Sequence, residues 1–318
     1  MAPAEIGAAR AKAPPASANR NQDAGAIVNA MTIDVEDYFQ VGVFQDRIRP
    51  DEWDRFDCRV EHNLDRCLAI LEEGGVRATF FTLGWVAERY PAAIRRLAEL
   101  GHEVASHGYG HRPIWQLDRE AYREDIRRSQ GVLGEVLGAA PTAYRAPCFS
   151  VRRDTLWALD CLFEEGIRVD SSIFPVGHPE YGIPDAETRI HRIALADGEL
   201  VEFPMTVGSL LGKKAAFCGG GWFRLFPYAL TRRSLAGSNR KGEPFVFYLH
   251  PWELDPDQPR LDDRATATGR FRHYVNLARN PAKFARLVSE FRFGTLGEAI
   301  EDRIARTGEL PLVRFAEI

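Results

Sequence analysis

The chain has 318 residues, of which 45% are hydrophobic and 27% charged, and its formal net charge is −4. This is the composition of an ordinary globular protein, long enough for one large α/β domain or two small ones. Scattered arginines and a slight acidic excess argue against a nucleic-acid partner, and no apolar run approaches the roughly 18 residues that span a membrane.

The first 25 residues are rich in alanine, proline and small polar residues, and they lack the apolar segment of a secretory signal. We predict a disordered lead over residues 1–25. The five cysteines contain no Cys-x-x-Cys pair, which favours reduced thiols over a disulfide framework or a cysteine zinc site. Together these features predict a protein of the cytoplasm or of the inner face of the membrane.

Beyond the lead, short apolar runs alternate with longer amphipathic segments, which is the pattern of βα units. Seven such strands predict a single βα barrel rather than an open sheet. The predicted strands are 27–35, 76–82, 102–106, 142–146, 166–170, 200–207 and 244–250, and the predicted helices are 61–73, 85–100, 118–137 and 153–165.

Two regions depart from this alternation. Residues 208–242 contain a glycine run followed by aromatics, CGGGWFRLFPY, and predict a long loop that either holds a small apolar cluster or covers a site. After residue 250 the chain is polar, with a final helix predicted near 281–292. We predict that the barrel domain spans 26–295 and that 296–318 form a C-terminal tail.

Polar residues follow several of the predicted strands, and in a βα barrel these strand ends face the active site. The first strand ends in Asp34, Glu36 and Asp37, whose like charges need a cation, an arginine or a proton to lie close together. We therefore expect the residues at the strand ends to gather into one site. The others are His107, His111, Arg145, Asp170, His250 and Trp252.

His107 and His111 are four residues apart with glycines between them, which favours a loop. With a carboxylate from the first strand they would form a His₂–carboxylate set for zinc, cobalt, nickel, manganese or iron. The alternative is a pair of structural histidines. Arg145 is either a surface residue before a turn or the partner of a catalytic carboxylate.

The roles of Asp170 and His250 are also open from the residues alone. Asp170 precedes two serines, so it is a turn or helix-capping residue, or a partner of Arg145 or His250. His250 lies in an apolar strand, so it is either a buried core histidine or an acid that protonates a leaving group.

Several stretches together resemble polysaccharide deacetylases with a NodB homology domain, carbohydrate esterase family 4. Within that family they are most similar to the branch associated with exopolysaccharide loci and the exosortase/PEP-CTERM system. The resemblance covers roughly residues 28–295. It is carried by TIDVEDYFQV, ATFFTLGWVAERYP, GHEVASHGYGHRPI, YRAPCFSV, DSSIFP and FYLHPWELDPDQPR.

The resemblance implies a distorted (β/α)7 barrel with a C-terminal extension from about residue 250. It also implies metal-dependent removal of acetyl groups from N-acetylated sugars, in an exopolysaccharide or a lipid-linked glycan. Zinc is the expected metal. By their positions in the family motifs, His107 and His111 are the implied metal ligands. Asp34 is the implied general base and Arg145 its partner. His250 is the implied general acid, and Asp170 is the residue that supports it.

The sequence departs from the family motifs in two places. An adjacent Asp-Asp becomes Asp34-Val35-Glu36-Asp37, which leaves Glu36 and Asp37 as alternative metal ligands. Cys148 stands where tyrosine is usual, and there the family uses the backbone N–H to bind the oxyanion. Trp222 and Trp252 are candidates for stacking on sugar rings, or are packing residues.

Two other functions remain open. Metal-independent members of the superfamily hydrolyse cyclic imides or ureides, and a degenerate barrel would bind polysaccharide without catalysis. Metal content and acetate release would separate both from an amide hydrolase. The sequence makes no prediction of the oligomeric state.

Overall fold

Seven parallel strands form the centre of the molecule in a computed structural model that describes residues 25–178, 180–210 and 212–314. They lie in the order β10-β1-β2-β3-β4-β5-β7, and β7 continues antiparallel into β6, which pairs with β12. Seven parallel strands with intervening helices confirm the predicted distorted (β/α)7 barrel. Most of the predicted disordered lead, residues 1–24, lies outside the described residues.

The strands are mostly short, as the bounds of the twelve in the described ranges show. They are β1 Asn29–Val35, β2 Thr79–Thr82, β3 Glu103–Ser106, β4 Ala143–Tyr144, β5 Val169–Asp170, β6 His191–Ala194, β7 Glu199–Glu202, β8 Val207–Leu210, β9 Lys213–Ala216, β10 Val246–Leu249, β11 Phe293–Gly294 and β12 Leu312–Arg314. β1 is central, since it pairs with β10, β2 and β11, and all seven of its residues are buried. Burial on both faces explains why its apolar residues, Ala30, Met31, Ile33 and Val35, do not simply alternate with exposed polar ones.

Most helices follow a strand and cover the sheet. They are α1 Val60–Glu73, α2 Gly84–Arg89, α3 Pro91–Glu99, α4 Arg119–Leu137, α5 Trp157–Glu164, α6 Gly220–Leu225, α7 Tyr228–Arg240, α8 Ala267–Tyr274, α9 Asn280–Glu290 and α10 Leu296–Thr307. The helix predicted over 85–100 is two helices, because Pro91 begins a new one after Tyr90. Within the described ranges, no helix combines the length and the apolar character needed to cross a bilayer.

The prediction of a long loop over 208–242 was wrong. The described residues of this region form the β8–β9 hairpin and then α6 and α7. The glycine run allows the chain to lie directly on β10, since a Cβ on Gly219 would lie 1.9 Å from the carbonyl oxygen of Tyr248. Gly219 and Gly220 also have φ of 149° and 55°, conformations that favour glycine.

Residues 296–314, described above as part of a tail, contain two elements of the fold. Thr295 caps α10, whose residues Leu296, Ala299 and Ile300 are buried. After α10 the chain adds β12 to the outer edge of the sheet beside β6. The packing of α10 was missed because its apolar residues are few and spaced among charges.

Candidate active site

The carboxyl ends of four parallel strands bring the predicted site residues together. Asp34 is the last but one residue of β1, and Glu36 follows that strand. His107, Arg145 and His250 come directly after β3, β4 and β10. Because these strands lie close together in the sheet, in the run β10-β1-β2-β3-β4, side chains far apart in sequence meet at one site.

Glu36, His107 and His111 form a buried cluster whose potential ligand atoms all lie within 4.8 Å of one another. The Nδ1 atom of His107 is 2.8 Å from the carbonyl oxygen of Arg145. A carbonyl only accepts, so Nδ1 carries the proton and Nε2 keeps its lone pair. Burial lowers the pKa of His107 to about 4, which keeps the ring neutral as a metal ligand must be.

The remaining contacts of this cluster also fit a divalent metal. His111 Nε2 is 2.9 Å from Glu36 Oε2, and His111 Nδ1 is buried with no hydrogen-bond partner among the described residues. Burial opposes the charge on Glu36, but His111 and His250 lower its pKa well below the usual value. Two imidazoles and one carboxylate form a donor set that leaves positions open for water and substrate.

The loop between the two histidines is held by Asp125 from α4. The N–H of Tyr109 donates to Asp125 Oδ2 at 2.7 Å, and Gly110 N–H donates to Oδ1 at 3.4 Å. Gly108 has φ of 72°, and a Cβ there would lie 2.8 Å from Asp125 Oδ2. Sequence reasoning missed Asp125, because an acid within a charged helix gives no signal of a contact across the loop.

Asp37, the alternative metal ligand, does not join the cluster. Its Oδ1 accepts from the N–H of Tyr38 at 2.8 Å, and its Oδ2 accepts from the N–H of Arg59. Arg59 precedes the first residue of α1, so the Asp37 carboxylate holds the start of that helix. The sequence left Glu36 and Asp37 open, and the structure brings Glu36 to the histidines.

Asp34 and Arg145 form a buried ion pair, as the sequence predicts. Arg145 Nη1 donates to Asp34 Oδ1 at 2.7 Å and to Thr32 Oγ1 at 2.8 Å. The other guanidinium nitrogens donate to the carbonyl and hydroxyl of Ser171, each at 3.0 Å. Because Arg145 is fully buried and fixed on several sides, it holds the Asp34 side chain in one orientation beside a positive charge.

His250 lies between the acids of β1 and a third acid that the sequence analysis did not select. Its Nε2 is 2.9 Å from Glu36 Oε1 and 3.9 Å from Asp34 Oδ2, while its Nδ1 is 2.7 Å from Glu253 Oε1. Burial alone would lower the pKa of His250, but Glu36 and Glu253 raise it to about 10. The two carboxylates therefore favour the protonated imidazole, the form that can donate a proton.

The predicted support of His250 by Asp170 is not what the structure shows. Glu253 occupies that place, three residues after His250 across a short 3₁₀ helix that begins at Pro251. The sequence HPWE held the signal, since a proline after the histidine favours a tight turn that returns the fourth residue to the first.

Asp170 instead pairs with Glu202. The two are register partners on parallel strands β5 and β7, and both are fully buried. One oxygen of each, Asp170 Oδ2 and Glu202 Oε2, has no hydrogen-bond donor among the described residues, so a proton shared between the two carboxyl groups would satisfy both. Burial raises the pKa of Asp170 to about 6, and burial and the charge of Asp170 raise that of Glu202 well above its usual value.

This pair makes a testable contribution to stability. Both acids bind protons more tightly in the folded protein, so their contribution to the free energy of unfolding falls as pH rises from about 4 through about 6 and beyond. We expect Glu202→Gln to remove this loss, since an amide donates to Asp170 without a proton. Relative to wild type, the variant should gain on the order of 1–3 kcal/mol between about pH 4 and pH 8 in urea unfolding.

Glu199→Gln is the matched control, because Glu199 lies on the same strand and is exposed. It should leave the pH dependence of the wild type unchanged. If the unfolding free energies of wild type and Glu202→Gln ran parallel across this pH range, the carboxyl pair would not share a proton.

The three predicted substrate contacts differ in accessibility. Cys148 has φ of 56° beside the site, and its Sγ lies 3.6 Å from Gln45 Oε1. Trp222 is 37% exposed and stacks on Phe226, so its outer face is open. Trp252 is buried between the rings of His250 and His273, which leaves it no face for a sugar and makes it a packing residue.

Comparison with known proteins agrees with this geometry. Residues 53–162 match the family model described as polysaccharide deacetylase. Residues 171–301 match a model described as a domain of unknown function, DUF3473, which begins well before the extension predicted from residue 250.

Among curated relatives, the peptidoglycan-N-acetylglucosamine deacetylase of Bacillus cereus is 28% identical over 113 residues, covering 32% of this chain and 41% of that protein. The chitooligosaccharide deacetylase of Rhizobium leguminosarum bv. trifolii is 32% identical over 101 residues, covering 32% of this chain and 44% of that protein. The chain thus spans less than half the length of either relative.

A solved structure from Mycobacterium smegmatis, of a candidate polysaccharide deacetylase, has the same fold. Its TM-score is 0.62 at 23% identity, and the match covers 94% of this chain and 97% of that one. The likeness therefore includes the C-terminal region as well as the barrel strands.

Proposed function

We propose that this chain, whose residues 53–162 match the polysaccharide deacetylase family model, is an enzyme of the NodB, carbohydrate esterase 4 type that hydrolyses the N-acetyl groups of an N-acetylated sugar polymer and releases acetate. The observation that carries the proposal is the convergence of Asp34 with its arginine, His250, and the cluster of Glu36, His107 and His111. A base, an acid and a metal site in one pocket are what amide hydrolysis needs.

We assign the candidate metal site to Glu36, His107 and His111. A divalent ion bound there, with zinc the expected one, would polarise the acetamide carbonyl and lower the pKa of a water molecule. Asp34, oriented by its bond from Arg145, accepts a proton from the attacking water. The backbone N–H of Cys148 is the candidate donor to the oxyanion.

His250 completes the reaction at the other side of the acetamide. Its Nε2 gives a proton to the departing nitrogen as the carbon–nitrogen bond breaks, so acetate and a free amino sugar are the products. Trp222, with its exposed ring, is our candidate for stacking on a sugar.

We also propose an exopolysaccharide or its lipid-linked precursor as the substrate, in the cytoplasm or at the inner face of the membrane. The sequence resemblance to exopolysaccharide-associated deacetylases supports this choice. Comparing acetate release from a soluble N-acetylglucosamine oligomer and from a lipid-linked one would test it. Preference for an oligomer without the lipid would contradict the precursor.

Metal content distinguishes the two candidate carboxylate ligands. We expect Glu36→Gln to lower the bound metal per chain and the affinity by about 10-fold or more, since one of three protein ligands loses its charge. Asp37→Asn should keep the metal but lower the unfolding free energy by about 0.5–2 kcal/mol, because it weakens the cap of α1. Inductively coupled plasma analysis measures the bound metal, and urea unfolding measures the free energy of unfolding. The reverse pattern would exchange the two assignments.

The proposed activity itself is tested by acetate release from N-acetylglucosamine oligomers with purified protein. Release should stop on chelation and return when zinc or cobalt is added. A metal-loaded wild type that releases no acetate from any N-acetylated oligomer would contradict the proposal. Hydrolysis of a cyclic imide or ureide by metal-free protein would replace it with that activity.

A further inference from the structure

We propose that Arg224 is a positioning residue for His250, and that it acts through Glu253. This inference rests on the proposed function, because it assigns the support of the proposed general acid. Arg224 lies on α6, in the region that the sequence analysis expected to be a loop, and nothing in the sequence links it to the site.

The three side chains form a continuous chain of contacts. His250 Nδ1 is 2.7 Å from Glu253 Oε1, which also accepts the backbone N–H of His250 at 3.1 Å. The other carboxylate oxygen, Oε2, accepts from Arg224 Nε at 2.7 Å. Glu253 is fully buried and Arg224 is 4% exposed, so water cannot replace either contact.

Arg224 is itself fixed by the C-terminal region. Its Nη1 donates to the carbonyls of His273 and Val275, and its Nη2 donates to the carbonyl of Arg272 at 3.0 Å. These carbonyls stand at the end of α8 and just beyond it, where a helix leaves its last carbonyls without partners. The guanidinium therefore joins the end of α8 to the carboxylate that holds the proposed acid.

The charge on Arg224 keeps Glu253 ionised. Burial opposes that ionisation, but Arg224 and His250 lower the pKa of Glu253 to about 2. An ionised Glu253 accepts the Nδ1 proton of His250, which directs Nε2 toward Asp34 and Glu36. Without Arg224, the buried carboxylate would lose one of its two charged neighbours, and the imidazole would lose its fixed orientation.

The test compares two leaving groups, because only one of them needs a proton. An amino sugar leaves poorly as an anion, whereas 4-nitrophenol leaves from its acetate ester as a stable phenolate. We expect Arg224→Met to lower kcat for an N-acetylglucosamine oligomer by about 10- to 100-fold, because the variant loses part of the rate enhancement that a general acid provides. KM should stay within about 3-fold of wild type. Hydrolysis of 4-nitrophenyl acetate should stay within about 3-fold of wild type.

Two further variants separate positioning from folding. Arg224→Lys keeps the charge and should recover part of the lost kcat. Arg232→Met is the matched control, since Arg232 on α7 is 56% exposed and pairs with Glu290, and it should leave both substrates unaffected. An equal loss for both substrates, or no loss for either, would overturn the inference.

A readout without substrate distinguishes this inference from the proposed function. In the ¹⁵N-histidine NMR spectrum, the proton on His250 Nδ1 should be shielded from exchange by its bond to Glu253. This signal should disappear in Glu253→Ala and exchange faster in Arg224→Met. An inactive wild type that shows this pattern would contradict the deacetylase and leave the positioning role standing. If the wild type is active but its Nδ1 signal is unchanged in Arg224→Met, the deacetylase proposal stands and the positioning role of Arg224 is contradicted.

Discussion

Asp34→Asn should lower kcat for acetate release by about 10²- to 10⁴-fold, the range that general bases contribute, while the metal stays bound. Asparagine has nearly the shape of aspartate and can accept a bond from Arg145, but it cannot take a proton from water. Since Asp34 is not one of the clustered ligands Glu36, His107 and His111, metal affinity should stay close to that of wild type.

Stability has to be measured beside the rate, because the variant leaves Arg145 as a buried charge without its counterion. Loss of one partner of a buried pair costs about 3–5 kcal/mol, and the amide should recover part of it. Rates are therefore compared well below the unfolding midpoint, with the exposed Asp46→Asn as control. A variant that keeps its metal and turns over within about 3-fold of wild type would show that Asp34 is not the base.

His107→Ala should have the second large effect, the loss of both metal and activity. The imidazole is one of three clustered ligands, and the bond from its Nδ1 to the Arg145 carbonyl leaves the Nε2 lone pair free for the metal, so alanine removes a ligand already fixed in place. We expect less than about one tenth of the wild-type metal after dialysis and a fall in kcat of at least about 10³-fold.

The matched control is His62→Ala, which removes an exposed histidine on α1. It should retain wild-type metal and rate. Added zinc should restore wild-type protein that has been stripped with chelator, but should not restore His107→Ala. If His107→Ala bound a full equivalent of metal and hydrolysed the oligomer, the ligand assignment would be wrong.

Most barrel strands could be predicted, because their sequences are short and apolar and are separated by amphipathic helices. The same rule placed Asp34, His107, Arg145 and His250 at neighbouring strand ends. The contacts that could not be predicted depend on the register in which strands pair. Glu202 meets Asp170 only because β5 and β7 pair in one particular alignment, and no local pattern reveals it.

The missed contacts share a physical reason. Arg224 and Asp125 reach the site from helices whose sequences show only charge, and charge on a helix is usually solvent-facing. Glu253 was the exception, since the spacing in HPWE predicts a contact across one turn. Side chains that support a site from a neighbouring element are therefore the contacts that the sequence of this protein does not predict.

The pairing of β1 with β10 has a consequence for biogenesis. Ile33 lies opposite Leu249 in this pair, so the residues that follow, Asp34 and His250, come together although they are far apart in the sequence. Contacts of such long sequence separation form late and slow the folding of a domain. A nascent chain that lacks β10 contains the acids of the first strand but not the histidine, so hydrolysis should begin only after β10 has been synthesised and has paired with β1.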